Sequence, residues 1–318
     1  MDGLVRADNA TWTFLLSRSP QRTRFLDPDF LSLFDCPVRL YVWERKGVPA
    51  IGLPIIDASE WNDRALPMCY YQGLIYNNEL LRGQASKSTQ NQVELAEMAI
   101  TALCEVEPNF AMSLHPSLTD MRGLDWVHYH DQRKARLSIN PRYTAIFDLE
   151  GHTTESIRSV GRSSRRQEEN YAKSRENLRA RTDGCLQSLM RLYQQTFAKQ
   201  GRAVDDKEVE ILVKYVSYFL DADLGHIVEV IDASDNAVAA GFVFEDYDNL
   251  WHVPLIGVGD TRYGGTLLYY AMLDFVHARG ARSIDFNGAN SPSRSYFKHS
   301  MGAEAKLYFD VDYLASEA

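Results

Sequence analysis

The stretch S-I-D-F-N-G-A-N-S-P-S-R-S-Y-F-K-H-S-M-G, Ser283–Gly302, decides the reading of this chain. Ile284 and Phe286 alternate with polar residues as in a short buried strand. A polar turn of Gly, Asn, Ser and Pro follows, then a helix that stops at Gly302. Lys298 lies on that helix, just after the chain has left the core. Upstream, an apolar-periodic helix over 266–279 is entered through Arg262-Tyr263-Gly264-Gly265 and closed by Gly280. Backbone donors at that helix start would favour a phosphate. Strand, glycine turn, helix, strand and basic helix together supply backbone donors and one ammonium, the parts of an acyl-transfer site.

Working outward, the same alternation runs through the whole chain. In the first half, strands 38–44 and 50–56 flank a Lys46-Gly47 turn. The pattern predicts further strands at 70–76, 110–115, 125–130 and 143–149, with a helix over 90–104. The second half predicts helices 186–199 and 206–219, strands 226–231, 238–245 and 251–257, the 266–279 helix, strand 282–286, helix 293–301 and strand 305–311. The fold class is α/β, with mixed sheets in two domains of similar plan. Expected boundaries are 1–150, a basic helical connector 151–182, and 183–318.

These residues resemble a known family. D-F-x-G, a polar loop and F-K-x-x-x-G-A, carried here by Asp285, Phe286, Gly288, Phe297, Lys298, Gly302 and Ala303, are similar to the C-terminal signature of Fem-type (FemABX) peptidyltransferases. They also match the related acetyltransferase-like branch of the GNAT superfamily. The strand from Thr144 and the cationic segment 156–173 agree with it, and the resemblance covers about residues 10 to 314. It implies two GNAT-like domains in tandem. It also implies a catalytic role for Lys298 and a site-shaping role for Phe297. Arg262 and Gly265 fit the GNAT pyrophosphate frame, whereas Leu267 departs from its last position.

Composition narrows the chemistry. An apolar share of 45% suits a globular protein and excludes global disorder. No apolar run reaches the length of a membrane span. The N-terminus lacks an apolar signal core, which reads as cytoplasmic. Cys36, Cys69, Cys104 and Cys185 have no paired spacing and read as free thiols. His128 and His130 would share one face of a strand but have no third ligand at metal spacing, so no metal is expected. The net charge of −9 excludes a protein that coats nucleic acid over its whole surface. Basic residues nevertheless outnumber acidic ones eight to three between Arg158 and Arg181. That local excess suits a polyanionic donor, or else a solvated helix face.

No G-x-S-x-G and no cysteine signature is present, so direct attack by an acceptor amine fits better than a covalent intermediate. Lys298 is the candidate for polarising the carbonyl, with a surface lysine at a helix end as the alternative. Asp285 orients the acceptor amine, acts as a base, or pairs with Arg262, Arg282 or Arg294. The donor candidates are Arg262, Gly264, Gly265, Thr266, Arg165 and Arg166; the acceptor candidates are Phe297, Asn287, Asn290, Arg294 and Tyr263. Two functions follow: amide formation from aminoacyl-tRNA, or N-acylation by acyl-CoA of an amino sugar, amino acid, peptide or natural-product amine. A third is an inactive GNAT-like binding module. No tightly bound cofactor is expected.

Overall fold

The computed structural model describes residues 2–58, 66, 68–81 and 84–315. The protein forms two compact units, residues 1–142 with 307–318, and residues 143–306. The units therefore divide differently from the sequence expectation. The last strand returns to the first unit, and the segment 151–182 lies wholly inside the second.

The first unit begins with β1 (Gly3–Arg6), α1 (Asn9–Leu16) and α2 (Pro28–Leu31). The hairpin β2 (Val38–Arg45) and β3 (Val48–Ile56) follows. Its two-residue turn places Lys46 at φ 53° and Gly47 at φ 75°, the double left-handed turn that matches strand twist. With β4 (Ile75–Tyr76) these strands form an antiparallel sheet in the order β1-β2-β3-β4. Next come α3 (Ala85–Val106), β5 (Asn109–Ser113) and α4 (Arg122–Asp125). The apolar face of α3 buries Leu95, Ala99, Ile100 and Leu103 against Ile51, Leu53, Phe110 and Met112.

One expected strand is cut short here and another is absent. Residues 70–74 do not pair because Tyr71 sits at φ 57°, outside strand geometry, so only Ile75 and Tyr76 join the sheet. Residues 125–130 are the end of α4 and successive turns, with Trp126 N–H on Arg122 O and Tyr129 N–H on Trp126 O. His128 lies at φ 56° and its Nδ1 meets Ala135 O at 2.7 Å, so the two histidines do not share a strand face.

β6 (Ser138–Asp148) runs from the first unit into the second. There follow α5 (Thr154–Val160), α6 (Ser163–Arg175), β7 (Arg179–Arg181), α7 (Leu186–Ala198), α8 (Asp206–Asp221), β8 (Gly225–Ile231) and β9 (Ala237–Glu245). Then come β10 (Leu250–Val258), α9 (Gly264–Ala278), β11 (Ser283–Asp285), α10 (Pro292–Ser300) and β12 (Glu304–Leu314), which re-enters the first unit. In the second unit the strands run β6-β11-β10-β9-β8-β7, all antiparallel except β10 with β11. Leu267, Leu268, Met272, Leu273 and Val276 of α9 pack into the core under this sheet. No helix among the described residues is long and apolar enough to cross a membrane.

The basic stretch 158–181 is not one helix but two helices and a strand. Gly161 breaks it because its backbone lies against the end of α10: an added Cβ would stand 3.0 Å from Met301 O. Arg162 N–H donates to Ser300 O there at 2.9 Å.

β10 packs closely on α7. A Cβ on Gly257 would meet the backbone carbonyl carbon of Leu192 and the backbone nitrogen of Tyr193, both at 2.4 Å. Backbone cannot yield as a side-chain end can. Gly257→Ala is expected to lower stability by about 3 kcal/mol, the upper range for overpacking, read by urea unfolding. A loss under about 0.5 kcal/mol would mean that α7 is not seated there.

Candidate active site

The chemistry gathers where two parallel strands part. β10 and β11 pair at Leu250↔Ser283, Trp251↔Ile284 and His252↔Asp285. Beyond that point β10 shifts register against β9, between His252 and Leu255. Pro254 falls in this interval, and with no N–H it cannot serve a ladder. On the other side, β11 leaves through Asn287 at φ 51° and Gly288 at φ 41°. The Asn287 side chain replaces the missing ladder bond, accepting from Val253 N–H at 3.1 Å.

Lys298 reaches this fork from α10. It is buried, with only 8% of its surface exposed, so it is not a surface lysine. Nζ donates to the backbone oxygens of Asn287 and of Gly288, the latter at 2.8 Å. Burial pulls its pKa down to about 8; Asp285 opposes that shift and Arg294 adds to it. An ammonium has three N–H donors, and two are spoken for.

The sign of the linkage follows. The folded pKa, about 8, lies below the ordinary 10.5. Between those values the unfolded state holds a proton that the folded state has released, so stability rises as pH climbs from 8 to 10.5. The gain is on the order of 3 kcal/mol. Denaturant unfolding across that window should give the parent a more positive slope than Lys298→Met, since the opposing effect of buried thiols such as Cys104, whose pKa burial raises, is common to both. Equal slopes would refute the buried cation.

Asp285 is fully buried, and a hydroxyl, a backbone N–H and an imidazole lie against its carboxylate. Oδ1 accepts from Thr144 Oγ1 at 2.5 Å and from Asn287 N–H at 2.8 Å. Oδ2 lies 3.9 Å from His252 Nδ1. The expected arginine pairing fails for a spatial reason. Arg282 pairs with Glu150, Arg294 donates to Gln200, and Arg262 lies over the Tyr263 ring. Asn287 and Asn290, expected to meet the acceptor, hold the fold: Asn290 bridges both backbone groups of Tyr143, accepting at 2.8 Å and donating at 3.1 Å. Phe297 is half-buried, edge-on to Tyr269 at 4.9 Å, with the Arg165 guanidinium 4.3 Å over its ring.

The donor candidates form a second cluster at the start of α9. Gly264 N–H donates to Thr261 Oγ1, and Thr261 Oγ1 in turn donates to Glu176 Oε2 at 2.6 Å. Glu176 Oε1 accepts from Arg262 N–H at 3.3 Å. Thr266 Oγ1 donates to Glu168 Oε2 at 2.6 Å, and Arg165 pairs with that same oxygen at 2.6 Å. Two carboxylates, Glu168 in the middle of α6 and Glu176 at its C-cap, thus fasten the glycine loop. Arg165 is consumed inside this cluster, whereas Arg166 is exposed.

The positive excess of 158–181 is also largely internal. Arg158 pairs with Glu169 and Asp274, Lys173 with Glu169, Arg179 with Asp235, and Arg181 with the buried Glu229. Exposed arginines of this unit include Arg162, Arg166, Arg175, Arg191, Arg262, Arg279 and Arg294. None of these pairs with a carboxylate among the described residues. Arg175 lies 3.5 Å over Tyr171, Tyr171 is 5.5 Å from Tyr263, and Arg262 lies 5.2 Å over Tyr263. Arg162 covers Tyr296 at 4.7 Å.

Sequence reasoning missed His252, Asp246 and Thr144, which are all buried at the fork. The available signal was a histidine two residues before a proline inside an otherwise apolar strand.

Comparison with known proteins agrees with this architecture. Residues 158–299 match the family described as acetyltransferase (GNAT) domain. No curated protein matches the sequence. A crystal structure of FemX superposes with a TM-score of 0.65 at 10% identity, over 98% of this protein and 97% of that one. A tandem GNAT protein from the clavulanic acid biosynthesis pathway gives 0.56 at 11% identity, over 100% and 99% of the two proteins. L-PGS from Bacillus licheniformis gives 0.55 at 12% identity, over 98% and 94%. The protein has a FemABX-like fold of two GNAT-like domains in tandem, and residues 158–299 carry the match to the acetyltransferase (GNAT) domain.

Proposed function

We propose that this protein is an acyltransferase that forms an amide by moving an aminoacyl group from aminoacyl-tRNA onto an acceptor amine. The observation that carries this reading is the set of exposed arginines lying over tyrosine rings, free of carboxylate partners among the described residues, on an otherwise acidic protein. Stacked rings and guanidinium planes suit unpaired bases, and the free charge suits phosphates, as at a single-stranded acceptor end. The fastened start of α9 points the same way, since Glu168 and Glu176 would repel a diphosphate at the place where acyl-CoA needs one.

In the reaction, the amine attacks the ester carbonyl, its nitrogen forms the new amide bond, and the tRNA 3′-oxygen leaves with a proton. The third N–H of Lys298 is assigned to the developing oxyanion, where one such donor is worth about 3 kcal/mol. Asp285 serves as the counter-charge that keeps Lys298 cationic, not as the base, because both its oxygens are enclosed. Arg262, Tyr263, Arg166 and Arg294 are assigned to the donor strand.

Purified protein given an amine acceptor and either labelled aminoacyl-tRNA or labelled acetyl-CoA separates the readings. Label transfer from tRNA alone is expected. Transfer from acetyl-CoA alone would replace this reading with acyl-CoA-dependent N-acylation; transfer from neither would favour a binding module.

A further inference from the structure

His252 is fully buried at the fork, and the chemistry above gives it no task. The proton on its ring can nevertheless be placed. Val253 N–H donates to Asn287 Oδ1 at 3.1 Å, which fixes the orientation of the Asn287 amide. Its other end, Nδ2, therefore faces His252 Nδ1 at 3.0 Å. An amide nitrogen has only hydrogens to offer, so Nδ1 must carry a lone pair. The ring proton then sits on Nε2 and is donated to Asp246 Oδ2 at 3.1 Å. With Nδ1 accepting from Asn287, the 3.9 Å approach of that nitrogen to Asp285 is not a hydrogen bond. Phe244 stacks on the ring at 5.1 Å and holds its plane.

The direction of every link is thus set, from His252 into Asn287. All four polar groups of Asn287 are committed. Its N–H goes to Asp285, Oδ1 to Val253, Nδ2 to His252, and its carbonyl oxygen to the Lys298 ammonium. Such pinning matters because Asn287 is held at φ 51°, a left-handed conformation that an L-residue keeps only when its surroundings insist.

We infer that His252 is a positioning residue for Lys298: through the Asn287 side chain it fixes the backbone carbonyl that aims the ammonium. This rests on the reading of Lys298 as the transfer group. A residue that merely filled space would be indifferent to which ring nitrogen bears the proton. A positioning residue needs the acceptor at Nδ1.

Two substitutions separate those cases. Asparagine retains an acceptor near the Nδ1 position, whereas glutamine retains only a group near Nε2. His252→Gln should lower kcat about 10- to 100-fold with KM unchanged, the usual cost of a small misplacement. His252→Asn should recover most of that loss. The direct readout is a carbon-13 lysine NMR titration, with the Lys298 signal assigned by its absence in Lys298→Met. Asp285 on β11 and Arg294 on α10 also act on this ammonium and are unchanged in both variants. In His252→Gln the Lys298 midpoint should climb from about 8 towards its ordinary 10.5 as water enters and relieves the burial that depresses it. An unmoved midpoint overturns the inference, whether or not kcat falls. A moved midpoint in an enzyme whose transfer survives Lys298→Met supports the positioning and instead removes Lys298 from the chemistry. Should His252→Gln fail to fold, nitrogen-15 histidine spectra of the parent decide. Protonated Nε2 with bare Nδ1 is expected at about pH 7, and a proton on Nδ1 refutes the proposal.

Discussion

Lys298→Met is expected to lower single-turnover transfer by about one to three orders of magnitude, the range for loss of one oxyanion donor. Methionine fills much the same volume, so the packing of α10 should survive. Stability is a separate matter. The carbonyls of Asn287 and Gly288 lose their buried donor, at a cost of about 1–3 kcal/mol. Removal of a cation that burial disfavours offsets part of this. Net destabilisation should therefore be small beside the loss of rate, and the variant should melt cooperatively near the parent. Unchanged turnover in a folded variant would end the assignment. A loss confined to KM would mean that Lys298 binds the ground state rather than the transition state.

The second large effect concerns the donor. The Arg175→Glu/Arg262→Glu double variant replaces two free guanidiniums by carboxylates and removes the cations over Tyr171 and Tyr263. Donor affinity should fall about 100-fold or more at low salt. If each arginine meets one phosphate of a single strand, the slope of log K against log salt becomes shallower by about 1.4. These positions are better probes than Arg165, whose reversal would break its pairing with Glu168 and disturb the start of α9. Filter binding of aminoacyl-tRNA at several salt concentrations gives both numbers. A parent whose affinity is indifferent to salt would exclude a polyanionic donor.

Much of this was legible in the sequence where the signal is local. The hairpin at Lys46-Gly47, the α9 helix with its glycine entry, and the order of Asp285, Gly288, Phe297 and Lys298 all came from near neighbours. What was hidden depends on distant residues or on backbone conformation. The arginine-rich stretch looked like free charge, but Asp274, a partner of Arg158, lies 116 residues away, and Glu229 lies 48 from Arg181. Counting charges within one segment cannot see such pairs. The strands expected at 70–76 and 125–130 carried the right residue types. The first was cut short by the left-handed Tyr71, a residue type that does not advertise a turn, and the second was taken up by the end of α4 and the turns after it. Asp285 read correctly as buried, but its compensation by a threonine hydroxyl and an asparagine N–H was invisible. His252 looked like any apolar-strand histidine, because its partner Asn287 reaches it only through the pairing of β10 with β11.

The most direct measurement is the pH dependence of the single-turnover rate with a fixed donor and acceptor. If a buried ammonium acts on the carbonyl, the rate should decline as pH rises through about 8, where Lys298 gives up its proton. Lys298→Met should retain a low rate without that descending limb. A parent rate that holds steady up to about pH 10, or a descending limb that persists in Lys298→Met, would contradict the account.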